Sequence, residues 1–347
     1  MISAGFTHTC AVTSSQQAFC WGAHDGLLPE NTFSANVATH VTSLGSGVLA
    51  ISAGEGYSCA IVDGRGAVCW GENKEGKLGT GSTADSLVPT AVVGLKSGIT
   101  SIATGKQHTC ALSQQGKVMC WGEGTLGRLG TGNNDDTTVP QLVKNLDLGA
   151  KAIAVGGSRS CAITNSGGLE CWGWHAEITG NSIASTPLAM YGLDSDVMAV
   201  SCGANHTCAL TTVGRVLCWG SNEHGQLGDT TNTERSLPTQ VVGLESGVTS
   251  ISAGYYHTCA LMSSGGVKCW GHNNRGQLGD GSTTHKTVPT PVLGIDPSVT
   301  AISAGYEHTC AIGASGEGWC WGSNSVGELG NGTRTDSATP VRVIGFR

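Results

Sequence analysis

The sequence predicts an all-β fold, a seven-bladed β-propeller with about four antiparallel strands in each blade. One cysteine motif recurs seven times along the 347 residues, at intervals of 47 to 51 residues, and such a fixed period indicates a repeat protein. Within each copy the apolar residues alternate with a period of two, which is typical of strands. Gly, Asp, Ser and Thr separate these short runs, as expected for turns between strands.

The sixth copy shows the predicted elements in order. Residues 257–261 are one strand, and residues 267–270 are the strand that returns from a tight turn at 263–266. A third, weaker strand is expected to follow the usual proline of the repeat, as in Pro238–Val242, and a fourth includes Val299–Ile302 and its equivalents. Four short strands per copy, with no helical period, indicate one propeller blade per copy.

The repeat also resembles a known family. The segment Ser252-Ala-Gly-Tyr-Tyr-His-Thr-Cys-Ala-Leu261, followed by Val-Lys-Cys-Trp-Gly (267–271) and Gly-Gln-Leu-Gly (276–279), is similar to the repeat of the regulator-of-chromosome-condensation family. The similarity covers essentially the whole chain. It implies a seven-bladed propeller, of a secreted type with paired cysteines.

We expect a single domain over residues 1–347. Its repeats fall approximately at residues 1–49, 50–98, 99–150, 151–197, 198–248, 249–299 and 300–347. The chain starts at the Ile2-Ser-Ala-Gly strand and ends with Pro340–Gly345, the strand that precedes this point in the other copies. We therefore expect the N- and C-terminal strands to join in one blade and close the ring, which removes an open sheet edge.

Two copies depart from the pattern. After Trp21-Gly22 the first copy lacks the Gly-Gln-Leu-Gly motif and the usual proline. In the fourth copy, the interval from Trp172 to Pro187 is four residues shorter than its equivalents. The usual blade geometry is therefore uncertain at residues 23–31 and 174–180.

The cysteines predict seven disulfides inside the blades. In every copy the two cysteines are ten residues apart, so a hairpin folded about the turn places them opposite each other, close to the separation that a disulfide needs. The predicted bonds are Cys10–Cys20, Cys59–Cys69, Cys110–Cys120, Cys161–Cys171, Cys208–Cys218, Cys259–Cys269 and Cys310–Cys320. Buried free thiols are the alternative, and zinc is disfavoured because each hairpin offers only two sulfurs. Cys202 remains as a free, packed thiol.

The predicted disulfides and the composition indicate the compartment of the protein and exclude some classes of partner. Seven disulfides predict an oxidising compartment, so we expect a secreted or cell-surface protein whose leader lies outside this chain. With a net charge of −7 and 12% charged residues, the chain lacks the basic surface that nucleic acid requires. No run of 18 apolar residues is present, so no membrane insertion is predicted.

The repeated tryptophans and histidines are interpreted as structural. Trp-Gly follows the second cysteine of every copy, and these tryptophans should pack between blades beside the cysteine pairs. Histidine precedes Thr-Cys in five copies, but Tyr57 and Arg159 replace it in two, which would interrupt a ring of metal ligands. We therefore expect hydrogen-bonded histidines, and we predict no metal and no cofactor.

Residues that change between copies mark the candidate binding face. The two residues between Gly and His vary most, and they should gather on one face of the ring near its axis. Aromatic and arginine side chains on a rigid frame are favoured at protein interfaces. The candidate residues are Phe6, Glu55, Tyr57, Lys106, Arg159, Trp174, Tyr255, Tyr256, Tyr306 and Glu307.

These observations favour an extracellular module that binds a protein, or a glycan, through one propeller face. The first alternative is a purely structural, disulfide-stapled part of a larger surface protein or assembly. A hydrolase or lyase is less favoured, because only His24, Asp25, His175 and Glu177 depart from the repeat as catalytic side chains do. We therefore predict no enzyme activity. The partner's identity, the face used and the oligomeric state stay open.

Overall fold

A computed structural model describes residues 1–23, 34–64, 66–175, 182–296 and 298–346. It contains seven four-stranded antiparallel sheets, each built from one continuous stretch of chain. The sheets are the blades of a ring, which confirms the predicted seven-bladed propeller. Blades are numbered here in chain order.

Within each blade the chain runs from the channel outward. The innermost strands are β1 (Ile2–Ala4), β5 (Val48–Ala53), β9 (Ile99–Thr104), β13 (Ala150–Val155), β17 (Val197–Cys202), β21 (Val248–Ala253) and β25 (Val299–Ala304). The second strands are β2 (His8–Val12), β6 (Tyr57–Val62), β10 (His108–Ser113), β14 (Arg159–Thr164), β18 (His206–Thr211), β22 (His257–Met262) and β26 (His308–Gly313). The second strands are buried almost throughout, because neighbouring blades cover both of their faces.

The other two strands complete each sheet. The third strands are β3 (Ala18–Ala23), β7 (Gly66–Gly71), β11 (Val118–Gly122), β15 (Leu169–His175), β19 (Val216–Gly220), β23 (Val267–Gly271) and β27 (Gly318–Gly322). The outer strands are β4 (Ser34–His40), β8 (Ser86–Ala91), β12 (Thr137–Leu142), β16 (Ser182–Ala189), β20 (Arg235–Gln240), β24 (Lys286–Pro291) and β28 (Ser337–Arg342). Short 3-10 helices lie at Thr42–Leu44, Lys74–Gly76 and Thr125–Gly127. No helix of the described residues is both long and apolar enough to span a membrane.

The outer strands begin earlier than predicted. Pro89 and Pro238 lie inside β8 and β20 rather than in front of them. A proline lacks the N–H that a central strand must donate, but an edge strand has one side without a partner. The proline therefore identifies the outer edge of the blade.

The prediction for ring closure was wrong. Blade 1 is made of β1 to β4 and blade 7 of β25 to β28, so no sheet contains both terminal strands. The ring closes by packing instead. Trp21 and Ile2 of blade 1 share a buried cluster with Val343 and Phe346, and the Ala4 N–H donates to Ser303 Oγ at 2.8 Å. Blades 1 and 4 also form complete four-stranded sheets, although their unusual loops at 24–33 and 176–181 lie outside the described residues.

The hydrophobic core is a series of clusters between blades. In one of them, Trp270 of blade 6 packs with Cys208 and Cys218 of blade 5, and every other blade boundary repeats this arrangement. All seven repeat tryptophans are at most 1% exposed. The predicted packing between blades is confirmed, and the cysteine pair that each tryptophan covers belongs to the preceding blade.

The seven predicted disulfides are present. In each hairpin the two cysteines are directly opposed in register, as for Cys259 and Cys269, and their Cα atoms lie 4.1 Å apart. The other six bonds have the same ten-residue separation. Cys202 is a free, buried thiol.

Candidate functional site

The antiparallel strand order gives the ring two different faces. We call top face the one that carries the turns between first and second strands, together with the loops between third and outer strands. The opposite bottom face carries the cysteine hairpin turns and the linkers between blades. The residues that vary between copies lie in the turns of the top face, as predicted.

Beneath the top face, one hydrogen-bond pattern joins adjacent blades, and we call it the seam. The hydroxyl of Thr309 in blade 7 donates to the carbonyl of Gln277 in blade 6 at 2.9 Å. Because this uses its only proton, His257 Nε2 must donate to Thr309 Oγ1, at 2.8 Å. Trp321 Nε1 donates to the same Gln277 carbonyl at 2.9 Å. The equivalent histidine bonds are His8–Ser58, His108–Ser160, His206–Thr258 and His308–Thr9.

Tyr57 and Arg159 belong to this seam, so their assignment to the binding face was wrong. Both side chains are 0% exposed. The Tyr57 hydroxyl lies 3.0 Å from Thr109 Oγ1 and donates to the His108 carbonyl at 2.8 Å. Arg159 donates from Nη1 to Thr207 Oγ1 at 3.1 Å. All three residue types that occupy the histidine position therefore perform one task, which is to reach the hydroxyl of the next blade.

The seam histidines are neutral. Burial lowers the pKa of His8 to about 4 and the pKa of His206, His257 and His308 to about 3. Arg159 adds to this effect at His206, and neighbouring histidines add to it at His257 and His308. Burial, with Arg128, also holds the pKa of His108 well below its usual value. A charged imidazolium would lose its hydration here, so the hydrogen-bonded role expected for these histidines agrees with their surroundings.

At the axis of the top face, seven turn residues surround the opening of the central channel. We call this ring the mouth, and it consists of Phe6, Glu55, Lys106, Gly157, Ala204, Tyr255 and Tyr306. It borders a cavity of about 260 Å³ that the innermost strands line. Backbone bonds between blades fix the turns: the N–H of Tyr255 donates to Gly305 and that of Tyr306 to Gly5, both at 3.0 Å. The mouth residues are therefore held by main-chain contacts that do not depend on their side chains.

Four aromatic rings are in contact on this face, and we call them the aromatic patch: Phe6, Tyr255, Tyr256 and Tyr306. Phe6 stacks on Tyr306 with ring centroids 3.8 Å apart, and Tyr255 lies 4.4 Å from Tyr306 and 4.5 Å from Tyr256. All four side chains are half-buried. Burial, with Tyr256 and Tyr306, raises the pKa of Tyr255 to about 12. The structure thus brings these four predicted residues together in one surface.

The other predicted charged residues lie on the same face in ion pairs. Lys106 Nζ is 3.9 Å from Glu55 Oε2, on the side of the mouth formed by blades 2 and 3. Glu307 pairs with Arg275 at 3.7 Å, next to the aromatic patch. The mouth therefore has an aromatic half in blades 6, 7 and 1 and an ionic half in blades 2 and 3.

The remaining predicted residues are separate from the patch. Trp174 is half-buried in blade 4, and its ring lies 5.9 Å from the Arg159 guanidinium. Of the residues weighed for an enzyme, His24, Asp25 and Glu177 lie outside the described residues, as does the side chain of His175. Cys202 borders the central cavity, where burial raises the pKa of its thiol to about 11, as expected of an unreactive thiol.

A histidine trio beside the patch was missed by sequence analysis. One nitrogen from each of His224, His272 and His285 lies within 4.8 Å of the others. His224 also contacts Tyr256, with centroids 5.2 Å apart. Burial, with the two neighbouring histidines, lowers the pKa of His272 to about 4. A signal was available, because His285 stands where blades 2, 3 and 7 have Asp85, Asp136 and Asp336.

Comparisons with known proteins agree with the fold. Two family models, both described as regulator of chromosome condensation (RCC1) repeat, match the chain. One matches residues 68–112, 115–163, 213–261 and 264–312, and the other residues 2–25, 99–128, 198–226, 248–277 and 299–328. Among solved structures, human WBSCR16 is 23% identical with a TM-score of 0.80, covering 89% of this chain and 85% of that one. Prp20p from Saccharomyces cerevisiae is 21% identical with a TM-score of 0.83, covering 96% and 87%.

Curated relatives match most of this chain. The ultraviolet-B receptor UVR8 of Arabidopsis thaliana is 34% identical over 272 residues, which are 77% of this chain and 51% of the receptor. The E3 ubiquitin-protein ligase HERC2 of Mus musculus is 30% identical over 289 residues, 79% of this chain but 6% of the ligase. The chain thus spans about half of the receptor and a small part of the ligase. With repeats matched over more than half of its length, the chain belongs to the regulator of chromosome condensation (RCC1) repeat family.

Proposed function

We propose that this chain is a protein-binding module whose contact surface is the aromatic patch at the mouth of the top face. The observation behind this proposal is the arrangement of the aromatic rings in the patch. Four aromatic rings in mutual contact, half-exposed beside a cavity, are the kind of anchor that dominates protein interfaces. The ion pairs of blades 2 and 3 and of Glu307 with Arg275 would form its polar rim.

Preorganisation supports this surface. The backbone at Phe6, Tyr255 and Tyr306 is tied to the next blade by main-chain hydrogen bonds, and the rings brace one another. A surface that is already ordered loses little conformational entropy on binding, so more of its contact energy becomes affinity. Protein binding also occurs elsewhere on this fold, since yeast Prp20p binds Gsp1p and histones. At 21% identity that likeness concerns the fold and does not name a partner for this chain.

We place this function outside the reducing cytosol. Fourteen of the fifteen cysteines are in disulfides, and such bonds persist in oxidising compartments. The intact mass of the native protein, before and after reduction, tests this part. A gain of about 14 hydrogens on reduction supports the placement, whereas fifteen alkylatable thiols in freshly isolated protein would contradict it.

The binding test compares two surfaces of one protein. The triple variant Tyr255→Ala, Tyr256→Ala and Tyr306→Ala removes most of the patch. The double variant Tyr191→Ala and Val213→Ala is the control, because both side chains are at least 70% exposed and lie on the bottom face. Partners captured from the native extracellular fluid are identified, purified and titrated against each variant.

We expect the patch variant to weaken binding by at least about thirtyfold, as a ~2 kcal/mol hot spot would. The control should bind as the unmodified chain does, and near-ultraviolet circular dichroism checks that each variant is folded. Equal affinity of the patch variant and the unmodified chain would refute the aromatic surface. Binding that survives deproteinisation of the captured material, with glycans as the ligand, would instead support the glycan alternative.

A further inference from the structure

We propose that His224, His272 and His285 form a binding site for a divalent transition-metal ion of the zinc type. One nitrogen of each ring lies within 4.8 Å of the other two. The ring centroids are 4.7 Å apart for His224 and His272, 5.1 Å for His224 and His285, and 4.7 Å for His272 and His285. Imidazole nitrogen is a preferred ligand of zinc, copper and nickel, and three such ligands are a recurring zinc set.

The trio joins two blades. His224 lies in the Asn222–Gly225 turn of blade 5, while His272 and His285 begin and end the top loop of blade 6. His272 is nearly buried, His224 is half-buried and His285 is exposed. The group is therefore open to solvent on one side, where an ion can enter, and anchored on the other.

Comparison among the blades shows that loop architecture alone does not require a histidine at 285. In blades 2, 3 and 7 a backbone N–H at the start of this loop donates to a carboxylate, that of Asp85, Asp136 or Asp336. In blade 6 the same role falls to His285, whose Nδ1 accepts from the Asn273 N–H at 3.0 Å. In the metal-free chain a histidine accepts the same bond as the aspartate, and it also carries a second ring nitrogen, which can coordinate an ion once that bond is released.

The required rearrangement is small. Zinc–nitrogen bonds of 2.0–2.1 Å in tetrahedral geometry place ligand nitrogens about 3.3 Å apart, so the rings must close by up to about 1.5 Å. Side-chain rotation at the rim of the face can supply this movement. Three ligands leave one coordination position for water or for a group from outside the chain.

Two present hydrogen bonds oppose metal binding. Besides the bond to His285, the Gln277 side-chain amide donates to Nδ1 of His272 at 2.7 Å. A neutral imidazole has one lone pair, so coordination through Nε2 requires the ring proton to move to Nδ1 and these two donors to be released. We therefore expect a site of moderate affinity that a chelator empties readily.

Metal binding would also act on the proposed partner surface, and this step rests on the proposed function. His224 contacts Tyr256 of the aromatic patch. An ion held by the trio would link blades 5 and 6 beside the patch and offer its open position to a carboxylate or imidazole of the partner.

The experiment uses the full, disulfide-bonded chain without a polyhistidine tag, after treatment with EDTA. Co²⁺ is titrated while its visible absorption is recorded, and Zn²⁺ binding is measured by calorimetry. We expect one ion per chain, a tetrahedral Co²⁺ spectrum and displacement of Co²⁺ by Zn²⁺. The variants are His224→Ala, His272→Ala and His285→Asn. The asparagine retains an acceptor for the Asn273 N–H, so loss of binding in that variant is separable from loss of the loop.

Each variant should bind at least about tenfold more weakly, because one ligand in three is removed. His40→Ala, in the outer strand of blade 1, is the matched control and should bind as the unmodified chain does. Absence of a Co²⁺ spectrum, or binding that persists unchanged in His272→Ala and His285→Asn, would overturn the site. These measurements need no protein partner, so they can fail or succeed independently of the aromatic-patch test.

Discussion

Tyr57 in blade 2 and Tyr256 in blade 6 occupy neighbouring positions of the same repeat, yet the first is fully buried in the seam and the second is half-exposed in the aromatic patch. The seam repeats one arrangement around the ring, in which a side chain of one blade reaches a hydroxyl of the next. By contrast, the pair formed by the mouth residue and the residue that follows it is different in every blade. In the seam, three different residue types make the same kind of stabilising contact. One residue earlier in the chain, a different residue type gives the top face a different surface.

The largest expected effect is acid unfolding through the seam. The folded-state pKa of the five seam histidines lies below the value of 6.5 taken for an unfolded chain, so the unfolded state binds more protons below that pH. Stability is fully present above pH 6.5 and is lost as the pH falls toward about 3. Each histidine contributes up to about 1.4 kcal/mol per pH unit.

Denaturant unfolding at a series of pH values measures this slope. The variant His257→Gln keeps a side-chain donor for Thr309 and removes one titrating group. The slope of its unfolding free energy against pH should therefore correspond to about one bound proton fewer. An unchanged free energy of unfolding between pH 7 and pH 4 would contradict the neutral seam.

The next effect compares two tryptophans. Trp270 is 0% exposed between blades 5 and 6, and Trp270→Ala should lower the free energy of unfolding by about 3–5 kcal/mol, from lost burial and a cavity. Trp174 lies outside the repeated pattern and is half-buried, so Trp174→Ala should cost under about 2 kcal/mol. Denaturant midpoints of the two variants, measured with the disulfides intact, give this difference in stability. Equal losses of stability would mean that blade 4 uses Trp174 as a core residue.

Removal of one disulfide should cost somewhat less. Replacement of Cys259 and Cys269 by serine opens a ten-residue loop, which the chain-entropy model values at about 2–3 kcal/mol. Cys202→Ala is the control, since it removes a buried thiol without a crosslink, and its cost should stay below about 1.5 kcal/mol. Thermal unfolding of both proteins under non-reducing conditions gives the difference. A double variant no less stable than the control would show that the seam alone holds the blade.

The smallest effect is the sharpest comparison, because one substitution is made in both regions. Tyr57→Phe removes the hydroxyl that donates to the His108 carbonyl and should cost about 1–2 kcal/mol. Tyr256→Phe should change stability by less than about 0.5 kcal/mol, as is usual at surfaces. Matched denaturation curves test the pair. If Tyr256→Phe were the more damaging, the aromatic patch would have to be counted as part of the structural core.

Much of the fold follows from the sequence because it is repeated. The fixed period gives the blades, and the ten-residue cysteine spacing gives the hairpin register and the disulfides. The burial of Tyr57 and Arg159 was not predictable in this way, since a pattern of strands does not say which turn residue points into the neighbouring blade. The histidine trio was missed because His224 comes from blade 5 and its partners from blade 6. Only the closed ring places that turn beside that loop.

The disulfides also determine how the ring should respond to force. Every one of the seven bonds lies within a single blade, so no disulfide joins one blade to the next, and the contacts between blades are non-covalent apart from the chain itself. A ring pulled by its ends would therefore open at a boundary between blades and release them one at a time. Each released blade would keep the ten-residue segment behind its disulfide folded back, which withholds about 30 Å of chain from extension.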